Sequence, residues 1–459
     1  MPGPPRFFPP ALVRSALPVI VLLGTLVSVS LGLSASAPPD AAWQPDSRGY
    51  LAPAQALLET GVYASDHRLP GYPLVIALVQ LLPDSFPGAL LALQTGLLLA
   101  SGLLAGAIAR ELGSGRTTVA FLTALSPYAI FLSRVILPDI LFLFLFLGHV
   151  LLALRARARC SIALAVSSGL LWGFLSLVRA NGLLIGPVTA AVVVALHRLA
   201  GSPGGLARPA SRMALPMLAA GGLPVLLFMA YNGAVTGQIR FVPPGYRAYA
   251  VRENLVQLDA VASGVSVEAA RRRVFDAARA AAGIADESWD PLTTSEKDAV
   301  VEAHARQIAS GYSAAALVRA VLSSVVRFHA GTGITSIVGY YLGSPRETSA
   351  RIRSTPSRFD RWIGAGGYSA AHPLLSLLIA GFFAATRVLA IGGALVALRR
   401  RRFALLLVVL AYAGYFTASS AFLAMTRYRQ PVEPFLFMLA AVCLHAMWER
   451  RPRRPLRAA

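Results

Sequence analysis

Two carboxylates and a group of arginines stand at the ends of long apolar segments. Asp46 lies in Trp43-Gln-Pro-Asp-Ser-Arg-Gly-Tyr50, beside Arg48, and Asp139 lies in Leu137-Pro-Asp-Ile-Leu-Phe142. An ionised carboxylate beside hydrocarbon is costly unless it is paired or used. A carboxylate is also a common proton acceptor when a hydroxyl must become a nucleophile. Arg48, Arg68, Arg134, Arg179, Arg427 and Arg429 stand at comparable edges. A guanidinium grips phosphate through two parallel donors. Acids with such cations suit transfer of a group from a phosphate to a hydroxyl. The carboxylate takes the proton, and the cations stabilise the charge that grows on the departing phosphate.

The elements that position these residues are membrane helices. Hydrophobic residues are 56% of the chain, charged residues 14%, and the mean hydropathy is +0.62. A soluble chain carries about 25% charge. Near-continuous apolar runs of the length that crosses a bilayer recur along the sequence. They predict an all-α bundle of about ten spans: 15–34, 89–109, 117–133, 136–154, 161–178, 182–199, 213–231, 374–397, 403–424 and 431–447. With the N-terminus inside, Arg110 and Arg116, Arg155 to Arg159, Arg198 to Arg212, Arg399 to Arg402 and the tail from Arg450 all fall on the cytoplasmic side. Basic segments on that side are the general rule. Asp46, Asp139, Arg179 and Arg429 then lie outside. Reporter fusions after residues 60, 158 and 300 are expected to read out, in and out. An inward reading at 300 would overturn this order.

The net charge of +21 is almost all arginine, Lys297 being the only lysine. Topology and anionic headgroups account for it. No aromatic and basic soluble module of the kind that holds nucleic acid is present. Cys160 and Cys443 lie at or inside spans and imply no disulfide framework. The stretch Ala35-Ser-Ala37 resembles a signal-peptide cleavage site, but the apolar run before it is long, and the reading is a retained first span.

Three units follow: a membrane module over 1–231 with a first outer loop at 35–88, a second outer loop at 232–373, and a C-terminal membrane part over 374–459. In the first loop, 51–60 reads as an amphipathic helix lying on the membrane and closed by Gly61. Pro70-Gly-Tyr-Pro73 reads as a rigid turn, followed by a short apolar helix over 74–82. In the second loop, 265–282 and 296–329 have helical composition. The run 313–329 carries Arg319 and Arg327 and reads as an interfacial helix, because a span there would invert every later basic cluster.

In order along the chain, these blocks resemble the GT-C glycosyltransferases that use lipid-carrier donors, near the protein O-mannosyltransferase and aminoarabinose transferase group and its lipopolysaccharide galacturonosyltransferase-like branch. The blocks are Asp46 with Tyr50 and the helix ending at Gly61, Arg68-Leu-Pro-Gly-Tyr-Pro73, Leu137-Pro-Asp139, and Gly169-Leu-Leu-Trp-Gly173 leading to Arg179. Asn232 with Thr236-Gly237 and Arg427-Tyr-Arg-Gln-Pro431 complete the set. The resemblance implies a sugar moved from a polyprenyl-phosphate donor to an extracytoplasmic glycolipid, glycan or protein, at the outer face of a bacterial inner membrane. It implies Asp46 as base, Asp139 as a second acid, and Arg48, Tyr50, Arg68, Tyr72, Arg179, Arg427 and Arg429 as contacts to phosphate or sugar. Many such enzymes carry two adjacent acids in the first loop. Here Ser47 follows Asp46, so no cofactor is implied and a divalent metal stays open.

Other roles compete for the same residues. Asp46 and Asp139 could cap helices, Arg179 could be a boundary residue, and the tyrosines could be interfacial aromatics. A transporter or flippase of lipid-linked glycans is the alternative from another class. No P-loop, dinucleotide-binding turn, His-Glu-x-x-His or cysteine–histidine metal spacing occurs.

Overall fold

The computed structural model describes residues 42–449, apart from 45, 66, 83–84, 201–207, 244, 332–336, 338–372 and 421–425. The first expected span, 15–34, lies outside them. Every element described is helical. In chain order the first nine helices are α1 Arg48–Thr60, α2 Gly71–Gln80, α3 Gly88–Glu111, α4 Arg116–Ala124, α5 Pro127–Ser133, α6 Asp139–Arg159, α7 Ile162–Val178, α8 Ile185–Leu199 and α9 Arg208–Thr236. The second outer loop contributes α10 Tyr246–Ser263, α11 Val267–Ala282, α12 Asp286–Trp289, α13 Thr294–Ala303, α14 Ala305–Ser310 and α15 Ala314–Ala330. The C-terminal part adds α16 Pro373–Arg399, α17 Phe403–Ser420, α18 Thr426–Arg429 and α19 Glu433–Glu449.

The chain is a polytopic helical membrane protein. Among the described residues six helices are long and apolar enough to cross a bilayer: Gly88–Glu111, Asp139–Arg159, Ala180–Leu199, Arg212–Thr236, Leu377–Arg399 and Phe403–Ser420. The expected spans at 161–178 and 431–447 are apolar helices somewhat shorter than that length. The expected span 117–133 is divided into α4 and α5. Pro127 causes the break, because proline has no N–H to donate and pushes the residue before it out of helical geometry. Ser126 accordingly has φ −57° and ψ 119°.

Two close approaches shape the site. α2 begins at Gly71, so Gly71, Tyr72 and Pro73 form the first turn of a helix rather than a separate turn. A first turn tolerates proline, because its N–H groups have no helical partner anyway. A Cβ on Gly71 would stand 2.8 Å from the backbone of Leu177 and Val178, so only glycine lets α2 seat against the end of α7. On the other side of α7, a Cβ on Gly173 would meet the Gly221 carbonyl at 2.6 Å. Small residues let α7 and α9 lie backbone to backbone, as in other membrane helix pairs. α1 ends at Gly61, whose φ of 72° and N–H to the Leu57 carbonyl make the expected left-handed cap.

The second loop builds its own small core from Leu255, Val256, Val274, Trp289, Val301 and Ile308. Ser266 caps α11, and Thr293 with Glu296 forms a full capping box on α13. α15 is not among the six long apolar helices. It buries Ala320, Ser324 and Phe328 and exposes Val318, Leu322 and Val326. That two-sided character matches a helix lying on a membrane surface.

Candidate active site

Asp46 directly precedes α1, and its loop is stitched to the segment that ends in Asp139. The Ile136 N–H donates to the Ala42 carbonyl at 3.0 Å, and the Ser47 hydroxyl donates to the Ile136 carbonyl at 3.0 Å. Ser47 is fully buried. An aspartate there would set a carboxylate against a carbonyl, acceptor against acceptor, with no proton to share. The position after Asp46 therefore fastens the loop.

Arg68, between α1 and α2, reaches back to Asp46 Oδ1 at 3.1 Å, with its guanidinium 4.5 Å above the Tyr50 ring. Arg427, on α18, binds Asp46 Oδ2 at 2.6 Å. The Tyr428 ring is shared by two cations, the Arg427 and Arg179 guanidiniums each lying 5.1 Å from its centre. Arg179 follows α7 with φ −149°, an extended residue that ends the helix and turns the side chain onto Asp139 Oδ2 at 2.7 Å. One chain of contacts thus runs Arg68, Asp46, Arg427, Tyr428, Arg179, Asp139. The Arg427 guanidinium, in the middle of this chain, lies within electrostatic reach of both carboxylates.

Three guanidiniums against two carboxylates leave one positive charge in excess. Burial alone would raise the Asp46 pKa, but the charges of Arg427 and Arg68 outweigh it and hold the carboxyl below its ordinary 3.8. Asp139 is almost fully buried, and among the described residues its Oδ1 has no hydrogen-bond partner. An orphaned acceptor in such a place is ready for an incoming donor.

Among the described residues no three His, Cys, Asp or Glu side chains gather as metal ligands do. Both Asp46 oxygens and one Asp139 oxygen are already held by guanidiniums.

Three of the expected contact residues lie elsewhere. Arg48 is exposed at the start of α1. Tyr72 is wholly buried, donates to Gln94 Oε1 at 2.7 Å, and supports Tyr50 edge-on from behind at 5.3 Å. Arg429 is also wholly buried. It binds Glu433 at 2.5 Å and donates to the Phe328 and His329 carbonyls at 2.6 and 3.0 Å. Arg387 grips the same carboxylate at 2.5 Å. Arg429 thus ties the end of α15 to the membrane helices and fixes the short helix that carries Arg427. Arg429→Gln is expected to cost about 3 kcal/mol or more, since breaking a buried ion pair leaves its partners uncompensated. Thermal unfolding in detergent reads this as a lowered Tm, and an unchanged Tm would contradict it.

Sequence reading also passed over Tyr428, Tyr246 and Tyr249. Tyr428 had a signal, since it sits between two arginines at a membrane edge. The helix carrying Tyr246 and Tyr249 had none.

The fold belongs to the class of polytopic, all-helical membrane architectures. Within that class, the chain is similar to the apo oligosaccharyltransferase of Archaeoglobus fulgidus, with a TM-score of 0.53 at 15% identity, covering 94% of this chain and 50% of that one. It is also similar to the archaeal oligosaccharyltransferase AglB from Archaeoglobus fulgidus in complex with an inhibitory peptide and a dolichol-phosphate, with a TM-score of 0.48 at 15% identity, covering 93% and 50%. This chain therefore spans about half the length of those proteins. At this identity the likeness is one of fold. No family model and no curated protein matches the chain.

Proposed function

We propose that the protein is a membrane glycosyltransferase. It moves a sugar from a polyprenyl-phosphate donor to a hydroxyl of an extracytoplasmic glycolipid, glycan or protein, at the outer face of a bacterial inner membrane. The observation that carries this reading is the convergence of Arg68, Arg179 and Arg427, from three separate segments, on Asp46 and Asp139. The excess positive charge suits the single negative charge of a sugar phosphodiester. The fold is one that an oligosaccharyltransferase also uses.

The reaction balances as follows. The acceptor oxygen attacks the anomeric carbon from the side opposite the phosphate. The bond from that carbon to the phosphate oxygen breaks, and its electron pair leaves with the lipid phosphate. The hydroxyl proton passes to Asp46. Arg68 and Arg427, drawn to the phosphate, loosen their hold on Asp46 and so raise its basicity when the donor is bound. Asp139, held by Arg179, offers Oδ1 to a sugar hydroxyl. Preplaced guanidiniums act on charge that develops only as the bond breaks.

The flippase alternative calls for polar groups near the membrane midplane. Here they gather at helix ends: Asp139 begins α6, and Arg179 follows α7. Proteoliposomes holding the protein, a polyprenyl-phosphate hexose and a mixture of envelope acceptors separate the two readings. Mass spectrometry is expected to find free polyprenyl phosphate and a glycosylated acceptor. Donor that crosses the bilayer with its sugar bond intact, and no product, would overturn the proposal.

A further inference from the structure

Four tyrosines surround the arginine cluster, and two of them come from the second outer loop. Tyr50 lies beneath Arg68, and Tyr428 is shared by Arg179 and Arg427. Tyr246 and Tyr249 belong to α10. Three residues apart on a helix, they share one face. That face is turned toward the cluster. Tyr249 stacks on His67, the residue before Arg68, and this contact sets the face beside the cluster, within electrostatic reach of its charges.

The wall is anchored. The Tyr249 ring stacks on His67 of the first loop, centres 6.2 Å apart and planes 23° apart. Arg252 lies 5.0 Å over the Tyr249 ring and is held by Asp298 at 2.8 and 3.0 Å. Among the described residues, neither the Tyr246 nor the Tyr249 hydroxyl makes a hydrogen bond. Both tyrosines are half-buried.

We propose that Tyr246 and Tyr249 form the sugar subsite of the donor: the Tyr246 ring is the wall against which a pyranose lies, and Tyr249, whose ring is already held by His67 and Arg252, gives its hydroxyl to the sugar rim. This rests on the donor reading above. The sugar is joined directly to the phosphate, so arginines that hold the phosphate place the ring within one ring's width of themselves. A pyranose carries C–H bonds on its faces and hydroxyls around its rim. Aromatic faces attract the first, and unspent phenol hydroxyls bond the second. A prenyl chain would instead seek aliphatic side chains on lipid-facing helices. α10 packs into the core of the outer loop, away from them.

The test measures binding of two lipids to the full-length protein in nanodiscs: a polyprenyl monophosphate, and the same lipid carrying a hexose on its phosphate. Tyr246→Ala is expected to weaken the hexosylated lipid about tenfold and to leave the bare lipid within twofold. Since ring removal can unseat α10, Tyr249→Phe serves as the second variant. It keeps the stack on His67, removes one hydroxyl, and is expected to weaken only the hexosylated lipid, by roughly threefold. Equal weakening of both lipids, or of neither, would overturn the subsite. If the unsubstituted protein binds neither lipid, the donor reading itself falls, and the subsite with it.

Discussion

Asp46→Asn lowers kcat by a factor of about 10² or more. Asparagine keeps the size and polarity of the side chain but cannot take a proton. Arg68 and Arg427 then lose a counter-charge, and the site gains one positive charge. The donor therefore binds no more weakly, and its KM stays level or falls. This split separates a base from a residue that merely holds the loop, whose loss would raise KM or prevent accumulation of the protein. Steady-state kinetics on reconstituted protein reads it. Normal kcat in a well-inserted variant would sink the assignment.

The same pairing predicts a pH signature. In the free protein the Asp46 carboxyl is held below 3.8 by Arg427 and Arg68. A depressed carboxylate pKa supports stability that is present above the ordinary value and is lost as pH falls through the folded one. The acid limb of kcat/KM, which reports the free enzyme, therefore lies below the ordinary carboxylate range. In the donor complex the phosphate competes for both guanidiniums and adds its own negative charge. The acid limb of kcat then lies at higher pH than that of kcat/KM. Coincident limbs would show that the arginines keep Asp46 throughout turnover.

Arg427→Gln has the second largest effect. A hydrogen bond from a cation to a charged group contributes roughly 1.5–3 kcal/mol. Its loss lowers kcat/KM for the donor about 10- to 100-fold. The dependence on acceptor concentration changes little, because a hydroxyl carries no charge to lose. Arg427 is a cleaner choice than Arg179. Without Arg427, Asp46 still has Arg68 at 3.1 Å. Without Arg179, the nearly inaccessible Asp139 has no cation in hydrogen-bond contact, and destabilisation would obscure the kinetics. A donor KM unaltered by Arg427→Gln would remove Arg427 from the site.

Much of this arrangement was legible in the sequence because charge at a membrane edge is rare and needs a reason. Asp46, Arg68, Asp139, Arg179 and Arg427 stand out for that reason alone. Arg429 stands out in the same way but has a different task. Residues two apart on a helical turn project in divergent directions, so Arg427 and Arg429 cannot share a partner. Glu433, four residues after Arg429, was the available sign of an internal pair. The burial of Tyr72 is not legible, because a tyrosine at an interface and one buried behind it look alike in sequence. Gln94, its partner, lies on a different helix. α10 was invisible for a stronger reason. Its buried positions include Arg252, Glu253, Gln257 and Asp259, which erase any apolar periodicity. Only the fold shows that Asp298 satisfies Arg252 from a separate helix. The division of 117–133 was readable at Pro127 but was outweighed by an unbroken apolar run.

The central claim is that the arginine cluster holds a lipid-borne phosphate while its sugar is transferred. The most direct measurement is sugar transfer by purified protein in proteoliposomes. Radiolabelled hexose is supplied either on polyprenyl phosphate or on a nucleoside diphosphate, with the same acceptors. Label is expected in the acceptor only from the polyprenyl-phosphate hexose, and Arg427→Gln is expected to reduce it. Transfer from the nucleotide sugar with no lipid carrier present would contradict the account.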